Sequence, residues 1–579
     1  MSGNTARTLL ALSPIPEPLS RNQSVSGTVE IYGSPFVDDR LLTRAPTAES
    51  VLHATSRFAR SLNGEFAVFV ETSDSVVLIN DRFAALPLFY FTDDHGITAS
   101  FSYTSIWKRL SDLGALKPDR AAFLEFLYFQ RLYGERTFDQ RSKFLPPASI
   151  LRFDKRSGQL NLERFWSPSF AKRTDGVKAI AADLADATAA SIARKTQDAS
   201  GVGLLLSGGM DSRLVLAGFR ERPQPTCFTI GDSFNNEVDV AGQLAATVGA
   251  SHEFVRRSGS HYSALLTSSA RVGGGMYSFQ HGHFFGLDIS TTNSNIDLML
   301  HGHGFDYMFQ GMYLPSRQIK ILGRGTLGYR LSSIDDDPTT RYAQEIKFRL
   351  KGVNVYSLIN PDLVQHMRSA IQNTIELITS PIRDDAVEKY DLWDYPTVSA
   401  PGRHYTYLNV LSANSLVKQR TVAFDNDIFD LYFSVHAEIR YGTKLLAKTT
   451  AMLQPALLEV RNANTNLSPE LTGTRLAAVG LARSIARRAK INIGGAPGLE
   501  STDRSWPTGD ELLQSDRQLG DIARQLPGSK SLVGLDLFEM DRIGELIRRF
   551  DAGTPGLAAT ILSLMTIDKF LNIGFAESV

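Results

Sequence analysis

Residues 204–212 read LLLSGGMDS, and an apolar helical pattern follows directly at residues 214–219. The leucine run is typical of a buried strand, and the serines and glycines after it indicate a tight turn. In such a unit, glycines let the backbone approach a phosphate chain, and the free N–H groups of the turn and helix start point at it. Ser207 and Ser212 add hydroxyl donors. The stretch predicts an anion-binding turn, although a strand–turn–helix corner whose glycines serve geometry alone has the same pattern.

Asp211 stands inside this turn, where a bare carboxylate would repel a phosphate. A cation between the two groups removes the repulsion, and carboxylate and phosphate oxygens are ligands that Mg²⁺ prefers. Asp211 is therefore predicted to bind Mg²⁺. The turn does not end in Gly-Lys-Ser/Thr, so it is not a Walker loop.

The pattern SGGxDS resembles the pyrophosphate loop of ATP pyrophosphatases. The resemblance implies ATP and Mg²⁺ as cofactors, with ATP cut between its α- and β-phosphates and AMP transferred to an acceptor. The ATP-binding residues that it implies in this loop are Leu206, Ser207, Gly208, Gly209, Asp211 and Ser212.

Length and composition are those of an ordinary globular protein. The 579 residues suffice for two or more domains, each with its own core. The 61 basic and 61 acidic residues cancel, which argues against nucleic acid or an anionic membrane as the main partner. The single cysteine, Cys227, excludes an intrachain disulfide framework and a multi-cysteine metal cluster, and this fits a reducing compartment. Cys227 lies in an apolar strand pattern and is predicted to serve packing.

The beginning of the chain does not have the pattern of a targeting segment. Residues 1–20 hold one arginine, a short Leu/Ala run and three prolines, which is too little for a signal peptide. No later stretch is apolar enough to span a bilayer. Together with the use of ATP, this predicts a cytoplasmic protein.

The first third of the chain, from about residue 25 to residue 166, alternates like short strands, with one helical stretch at residues 120–129. Residues 81–90 read DRFAALPLFY, which resembles the RDRxGxxPLYY segment in the glutamine-hydrolysing domain of asparagine synthetases. LPPA at residues 145–148 and the pair Phe165 and Trp166 stand where that family has LPPG and a closing YW. The resemblance implies an Ntn-hydrolase-like sandwich, a class II glutamine amidotransferase-like domain, over residues 1–170.

One departure from that family concerns the nucleophile. Glutaminase chemistry needs a cysteine directly after the initiator Met, with its freed α-amine as the base. This chain has Ser2 there, and Cys227 is its only cysteine. We therefore expect a degenerate domain without glutamine hydrolysis. The attacking nitrogen is then free ammonia or an amine carried by the substrate.

The rest of the chain alternates between strand and helix patterns. After a candidate linker at residues 167–176, a helix is predicted at residues 177–195, a strand at residues 226–231 and a further helix from Asn236. This βαβ alternation predicts a parallel sheet covered by helices. In the resembling family the strand at 226–231 lines the adenine pocket, which makes Ile230 a candidate contact. The resemblance implies a helix-rich, asparagine synthetase-like ATP-pyrophosphatase domain over residues 171–579.

A second motif, HGHGFDYMFQGMY at residues 301–313, follows the apolar run at residues 296–300. A strand ending in Gly-x-Gly and an acid places that acid at the carboxyl edge of the sheet, so Asp306 is expected to face Asp211. The motif resembles GEGxDE(L/V)FGGY of asparagine synthetases and GYGxDxxxGGM of β-lactam synthetases. The resemblance implies Asp306 as the second Mg²⁺ ligand and Gly302 as the glycine that closes over adenine.

His303 occupies the position of a Glu or Tyr in those families, and in β-lactam synthetases the Tyr is tied to deprotonating the attacking amine. A histidine with a pKa near 6.5 can take that proton at cytoplasmic pH, so His303 is the candidate base. His281, His283, His301 and His303 also form two His-x-His pairs. On strands each pair would share a face, so purely structural histidines or a zinc site remain alternatives.

A third stretch, QRTVAFDNDIF at residues 419–429, resembles the family's xRxPFLDxxxxE segment. Lys444 follows where the family has a lysine that grips ATP or pyrophosphate. A second family lysine, in RxKxG, stabilises charge during acyl transfer. Here Asn464 stands near its place, so either Arg461 or a substrate group supplies that charge, or the chemistry is altered.

The tail contains a basic helical pattern at residues 475–490 and a Gly/Pro-rich break at residues 494–498. Its cations could bind a peptide or a partner protein, but they equally fit a solvated helix face. They are Arg483, Arg487, Arg488 and Lys490.

The resemblances together imply a ligase that adenylates a carboxylate and forms an amide. Without a glutaminase, the simplest product is an intramolecular amide, as in β-lactam synthetases and lasso peptide macrolactam cyclases. We favour the lasso peptide cyclase, since the chain is longer than a typical asparagine synthetase and Tyr307 replaces the acid usually found beside Asp306. A core peptide would then be the substrate, and a leader peptidase and a leader-binding protein would be partners. The alternatives are an ammonia-dependent amidotransferase or β-lactam synthetase acting on a small molecule, or a catalytically dead binding protein.

Overall fold

The computed structural model describes residues 17–220, 222–289, 295–320, 326–346, 352–471, 478–479 and 505–576. The fold is mixed α/β with a parallel sheet and many helices, which confirms the predicted class. Ser2, the basic residues at 483–490 and the break at residues 494–498 lie outside the described residues.

Two antiparallel sheets form the N-terminal part. The larger has the order β1-β2-β4-β5-β9-β10 with β3 paired to β2, and the smaller has the order β7-β6-β8. The strands of the larger sheet are β1 (Ser20–Ser24), β2 (Gly27–Val37), β3 (Arg40–Leu41), β4 (Asn63–Glu71), β5 (Ser75–Asn80), β9 (Ser149–Asp154) and β10 (Leu160–Arg164). Those of the smaller sheet are β6 (Phe89–Asp93), β7 (Gly96–Ser100) and β8 (Lys143–Phe144).

The two sheets pack face to face because their strands alternate. On β4, Ala67 and Phe69 enter the core shared with Tyr90 of the smaller sheet, whereas Phe66 and Val68 enter a second core on the opposite face. Helices α1 (Ala48–His53) and α2 (Thr55–Ser61) contribute to that second core, and α3 (Tyr103–Asp112) covers the smaller sheet. The helix predicted at residues 120–129 is present as α4 (Arg120–Phe129).

A five-stranded parallel sheet follows, in the order β13-β12-β11-β14-β17. The predicted strands and helices appear close to their expected bounds. The strands are β11 (Val202–Leu205), β12 (Thr226–Gly231), β13 (His252–Arg256), β14 (Leu298–His301) and β17 (Gln419–Thr421). The helices between them include α5 (Val177–Thr196), α6 (Met210–Ala217), α7 (Asn236–Thr247) and α8 (His261–Val272).

The remaining described segments are mostly helical, but residues 314–395 include a hairpin. It pairs β15 (Ser316–Lys320) with β16 (Thr326–Leu331). The helices are α9 (Phe305–Phe309), α10 (Pro338–Glu345), α11 (Val364–Thr379), α12 (Lys389–Val398), α13 (Leu408–Ala413), α14 (Asn426–Ser434), α15 (Ala437–Arg440) and α16 (Lys444–Leu453). Nearer the C-terminus lie Gly509–Ser515, Arg517–Gln525, Lys530–Gly534, Met540–Asp551 and Ala558–Ala576.

The last helix joins the two halves of the chain. Phe570 packs 5.8 Å from the ring of Tyr103 and 5.2 Å from that of Trp107, measured between ring centroids. The largest core therefore contains residues from both predicted domains. The division into residues 1–170 and 171–579 stays a prediction. Although the last helix is apolar, no helix within the described ranges combines the length and hydropathy needed to cross a membrane.

Candidate active site

The predicted phosphate loop connects β11 to α6. Its two serines are hydrogen-bonded to each other. The Ser207 and Ser212 hydroxyl oxygens lie 2.9 Å apart, and the Ser207 N–H donates to the Ser212 hydroxyl at 3.0 Å. Gly209 precedes the first turn of α6, where a new Cβ would meet Ser207 Oγ at 3.3 Å and Asn464 Nδ2 at 3.9 Å. The first N–H groups of a helix have no partner within it, and Ser207, Asp211 and Ser212 at this helix start line a cavity.

Gly208 has a different role from Gly209. A Cβ at Gly208 would lie 2.3 Å from the Cβ of Ala463, so a side chain here would displace the following segment. The Ala463 N–H also donates to the Gly208 carbonyl at 3.1 Å. Gly208 is therefore required for packing under the loop.

Asp211 and Asp306 line the same cavity, described below, and interact electrostatically. Burial and, next, the negative charge of Asp306 raise the pKa of Asp211 well above its ordinary value. The Gln310 side-chain amide donates to Asp211 Oδ1 at 2.6 Å. Two carboxylates held this close in a desolvated place favour a cation between them, and their oxygens suit Mg²⁺. The residues present therefore fit the implied metal.

Gly302 allows the segments that carry Asp211 and Asp306 to approach each other closely. Its Cβ would lie 2.6 Å from the Asp211 carbonyl carbon and 2.6 Å from the Ser212 nitrogen. Only glycine lets the end of β14 approach the start of α6 so closely. Gly302 also lines the cavity described next, so its predicted place beside the nucleotide is compatible with this packing role.

A cavity of about 200 Å³ opens beside the loop. The predicted residues Leu206, Ser207, Asp211, Ser212, Ile230, Gly302, His303 and Asp306 all line it. The sequence analysis missed other lining residues, among them Phe228, Thr229, Glu237, Phe284, Asn409, Ser505 and Trp506. The cavity has an acidic and hydroxyl-rich side at the loop, and β12, Phe284 and Trp506 give it an apolar side.

The segment after Arg461 lies on the phosphate loop, held there by Arg213. The buried Arg213 guanidinium donates to the carbonyls of Leu457, Val460 and Arg461 at 2.7 to 2.9 Å. Burial lowers the pKa of Arg213 to about 10, so it remains charged at neutral pH. The sequence signal was a charged residue directly before the apolar end of α6, residues 214–217.

The side chains of Arg461 and Asn464 lie against different parts of the structure. The Arg461 guanidinium is engaged by α7, 2.7 Å from Asp239 Oδ2 and 3.0 Å from Asn236 Oδ1. Asn464 instead lies over Gly209, as the distance to its Nδ2 shows. An uncharged amide thus borders the loop at the position where the resemblance implied a lysine.

Lys444 is the exposed first residue of α16 and does not line the cavity. The loop before it is tied to the site, since the Gly442 N–H donates to the Gln310 carbonyl at 3.0 Å. Gln310 therefore connects the Asp211 carboxylate to the loop that carries Lys444. Phosphate binding by Lys444 stays a prediction.

His303 lies in the cavity wall beside Tyr307, with 3.4 Å between its Nε2 and the Tyr307 hydroxyl. Desolvation and, next, the neighbouring His301 lower the pKa of His303 to about 3. The imidazole is therefore neutral at pH 7, and the ordinary pKa assumed from the sequence is wrong for this protein without substrate.

Of the four histidines only His301 lies on a strand, so neither His-x-His pair shares one strand face. His281 ends a short 3-10 turn, and His303 follows β14 in a turn. His283 is held by Tyr262, whose hydroxyl lies 2.9 Å from its Nδ1. Within the described residues no group of three or more His, Cys, Asp or Glu side chains could hold a metal ion, so the zinc alternative gains no support.

The low pKa of His303 predicts a specific pH dependence of stability. Between pH 3 and 6.5 the unfolded chain binds a proton at this residue and the folded chain does not, so acidification destabilises the fold. Wild type should lose about 1.4 kcal/mol per pH unit below pH 6.5 relative to His303→Gln, measured by denaturant unfolding. The exposed His53→Gln is the control and should show no such difference in slope. Parallel curves for wild type and His303→Gln would contradict the prediction.

Comparison with known proteins gives a family match for one part of the chain. Residues 183–368 match the family model of asparagine synthase. This part of the chain includes the phosphate loop and both acids, and the match supports the asparagine synthetase superfamily. At the family level it supports an ATP-dependent ligase that forms carbon–nitrogen bonds. No curated protein matches the sequence of the chain.

Two solved structures show a faint likeness to the chain. One is glutamine phosphoribosylpyrophosphate amidotransferase from B. subtilis, complexed with ADP and GMP, with 11% identity over 39% of this chain and 61% of that chain and a TM-score of 0.16. The other is an allosteric regulatory enzyme of purine biosynthesis, with 12% identity over 40% of this chain and 62% of that chain and a TM-score of 0.17. The chain thus spans less than two thirds of either structure, and TM-scores this low carry no argument.

Proposed function

We propose that the protein adenylates a carboxylate with Mg·ATP and closes an intramolecular amide, the macrolactam ring of a lasso peptide. The observation that supports this most is the meeting of Asp211 and Asp306 beside a phosphate loop, at one cavity. On this proposal residues 1–170 are a degenerate, Ntn-hydrolase-like glutaminase domain and residues 171–579 are the adenylating domain. The cytoplasm is the expected location.

In the proposed reaction a substrate carboxylate attacks the α-phosphorus of ATP, and pyrophosphate leaves. The substrate's own amine then attacks the acyl-adenylate, loses a proton and displaces AMP, which forms the amide. The N–H groups after Ser207 bind the phosphates, and Asp211 and Asp306 would hold the metal. When bound, Mg²⁺ neutralises the phosphate charge. On this proposal Lys444 would steady the leaving pyrophosphate.

His303 is the candidate acceptor of the amine proton, with one condition. A base whose pKa is about 3 carries a proton in roughly one molecule in 10⁴ at pH 7, so its pKa must rise when substrate binds. The developing ammonium charge beside the ring would not raise it, but a carboxylate of the substrate would.

An internal amine is favoured because no thiol is available for releasing ammonia from glutamine. Cys227 is buried in β12 of the parallel sheet, away from the N-terminal sandwich, and burial raises its pKa to about 12. A thiol with that pKa is not a nucleophile at neutral pH. When one substrate molecule carries both the amine and the activated acid, binding holds the two groups together. The amine then reacts at a high effective concentration.

A second candidate function is favoured by the segment at residues 461–466. Arg461 is committed to Asp239, and an amide stands where the family has a lysine. This favours either of two alternatives. The protein binds ATP without turning it over, or the substrate supplies the positive charge that the lysine supplies in the family. An ammonia-fed amidotransferase or a β-lactam synthetase would use the same loop and acids on a small molecule.

The test is pyrophosphate release from Mg·ATP with and without a leaderless candidate peptide. Peptide-dependent release, with loss of one water from the peptide mass, is the expected result. Release that requires ammonia and a small acid would favour the amidotransferase. ATP binding without turnover would favour the binding protein. A precursor-peptide gene beside this one would also imply the leader peptidase and leader-binding protein as partners.

A further inference from the structure

The dipeptide Ser505 and Trp506 lines the cavity, although it stands more than 130 residues beyond the segment that matches the family. A Cβ at Gly231, the last residue of β12, would lie 3.4 Å from the Ser505 hydroxyl oxygen. The dipeptide therefore lies at the carboxyl end of β12, which β11 separates from β14, the strand before Asp306.

Three separate elements hold the dipeptide in place. The Ser505 N–H donates to Glu237 Oε2 of α7 at 2.8 Å, and the Arg257 guanidinium donates to the Ser505 carbonyl. The same guanidinium lies 4.6 Å from the Trp506 ring centroid, over the ring. On another side the His283 ring lies 4.0 Å from it, centroid to centroid. Such fixing gives the indole one defined orientation at the cavity.

The buried Ser505 hydroxyl indicates that a ligand binds here. The residue is only 3% exposed, and its hydroxyl has no hydrogen-bond partner among the described residues. A buried hydroxyl left unpaired is costly, and each such group calls for an explanation. A polar atom of a molecule in the cavity would satisfy it.

We propose that Ser505 and Trp506 form part of the nucleotide site and bind the base end of the nucleotide. This rests on the proposed use of ATP: the phosphates occupy the loop side, which leaves the base on the apolar side, beside Phe228, Ile230 and Trp506. The Trp506 indole packs against the base, and the Ser505 hydroxyl hydrogen-bonds to the base or its ribose. Because Arg257 and His283 already lie against the indole, its remaining edge meets the base, and an edge contact between aromatic rings favours binding.

The test compares calorimetric titrations of the full chain with Mg·ATP and with Mg·pyrophosphate. Trp506→Leu should weaken ATP binding about 3- to 10-fold and leave pyrophosphate binding unchanged, since pyrophosphate lacks the base. Ser505→Ala should weaken ATP binding several-fold without lowering the melting temperature. Trp506→Phe keeps an aromatic ring and should retain most of the affinity.

Tryptophan fluorescence gives an independent measurement. The chain has four tryptophans, and Trp107 and Trp393 are buried. ATP should therefore change the emission of wild type and of the control Trp166→Phe, but not that of Trp506→Phe. This comparison decides the matter if Trp506→Leu fails to fold.

The outcomes separate the two proposals. Wild type that binds neither ATP nor pyrophosphate would contradict the proposed function itself. Wild type that binds ATP, with unchanged affinity in Trp506→Leu and Ser505→Ala, would overturn only the role of the dipeptide. An ATP-induced emission change that persists in Trp506→Phe would also overturn it.

Discussion

Asp211→Asn is expected to abolish pyrophosphate release and, at the same time, to raise the stability of the metal-free protein. Loss of the metal site removes several kcal/mol of stabilisation from the charged transition state, which corresponds to a fall in rate of about 10³-fold. Stability rises because burial and the Asp306 charge oppose ionisation of Asp211. Asparagine keeps the shape of the side chain and still accepts a hydrogen bond from Gln310.

The pH dependence of this gain has a definite sign. Because the pKa of Asp211 is raised, the folded state holds its proton more tightly than the unfolded state, and wild type loses stability as pH rises above about 4. The melting temperature of Asp211→Asn should therefore exceed that of wild type increasingly from pH 4 to pH 7 in EDTA. Added Mg²⁺ should stabilise wild type but not the variant.

Two further variants make this experiment decisive. Asp306→Asn should behave like Asp211→Asn, since the two carboxylates share one site. Asp336→Asn, at an exposed loop position, should change neither ATP turnover nor stability. Full pyrophosphate release by Asp211→Asn would show that the two acids do not hold a required metal.

The parts of the site that could be predicted from the sequence are those that follow from local pattern and sheet geometry. The run at residues 226–231 is a strand with those bounds because its β-branched and aromatic residues form an apolar run bounded by glycine and proline. The sequence could predict that Asp211 and Asp306 lie close together, because both follow parallel strands and the carboxyl ends of such strands meet at one edge of the sheet.

The residues that the sequence could not place make contacts between distant parts of the chain. Ser505 reaches Glu237 across 268 positions, and no periodicity or spacing marks such a pair. Arg213 donates to three carbonyls near residue 460. From the sequence one sees only a charged residue on an apolar helix, and this does not indicate which groups it will bind. The pKa of His303 depends on burial by residues from several elements, so its ordinary value was a poor guide.

Asp394→Ala is expected to destabilise the protein by about 3 to 5 kcal/mol, because it leaves a buried arginine without its partner. Asp394 Oδ2 lies 2.7 Å from Arg440 Nη1, and both side chains are only 2% exposed. The Tyr432 hydroxyl also donates to this carboxylate, and so would lose its acceptor. The measurement is the free energy of unfolding from denaturant titration.

The same substitution should also weaken the metal site, because Arg440 donates to the Met308 carbonyl at 3.3 Å, between Asp306 and Gln310. A double variant, Asp394→Leu with Arg440→Met, removes both charges and should be less destabilised than Asp394→Ala, since no unpaired charge stays buried. Breaking the exposed pair Arg542 and Glu545, 3.1 Å apart, is the matched control and should cost less than about 1 kcal/mol. If the buried and exposed pairs cost the same, the Arg440–Asp394 pair does not support the helix that carries Asp306.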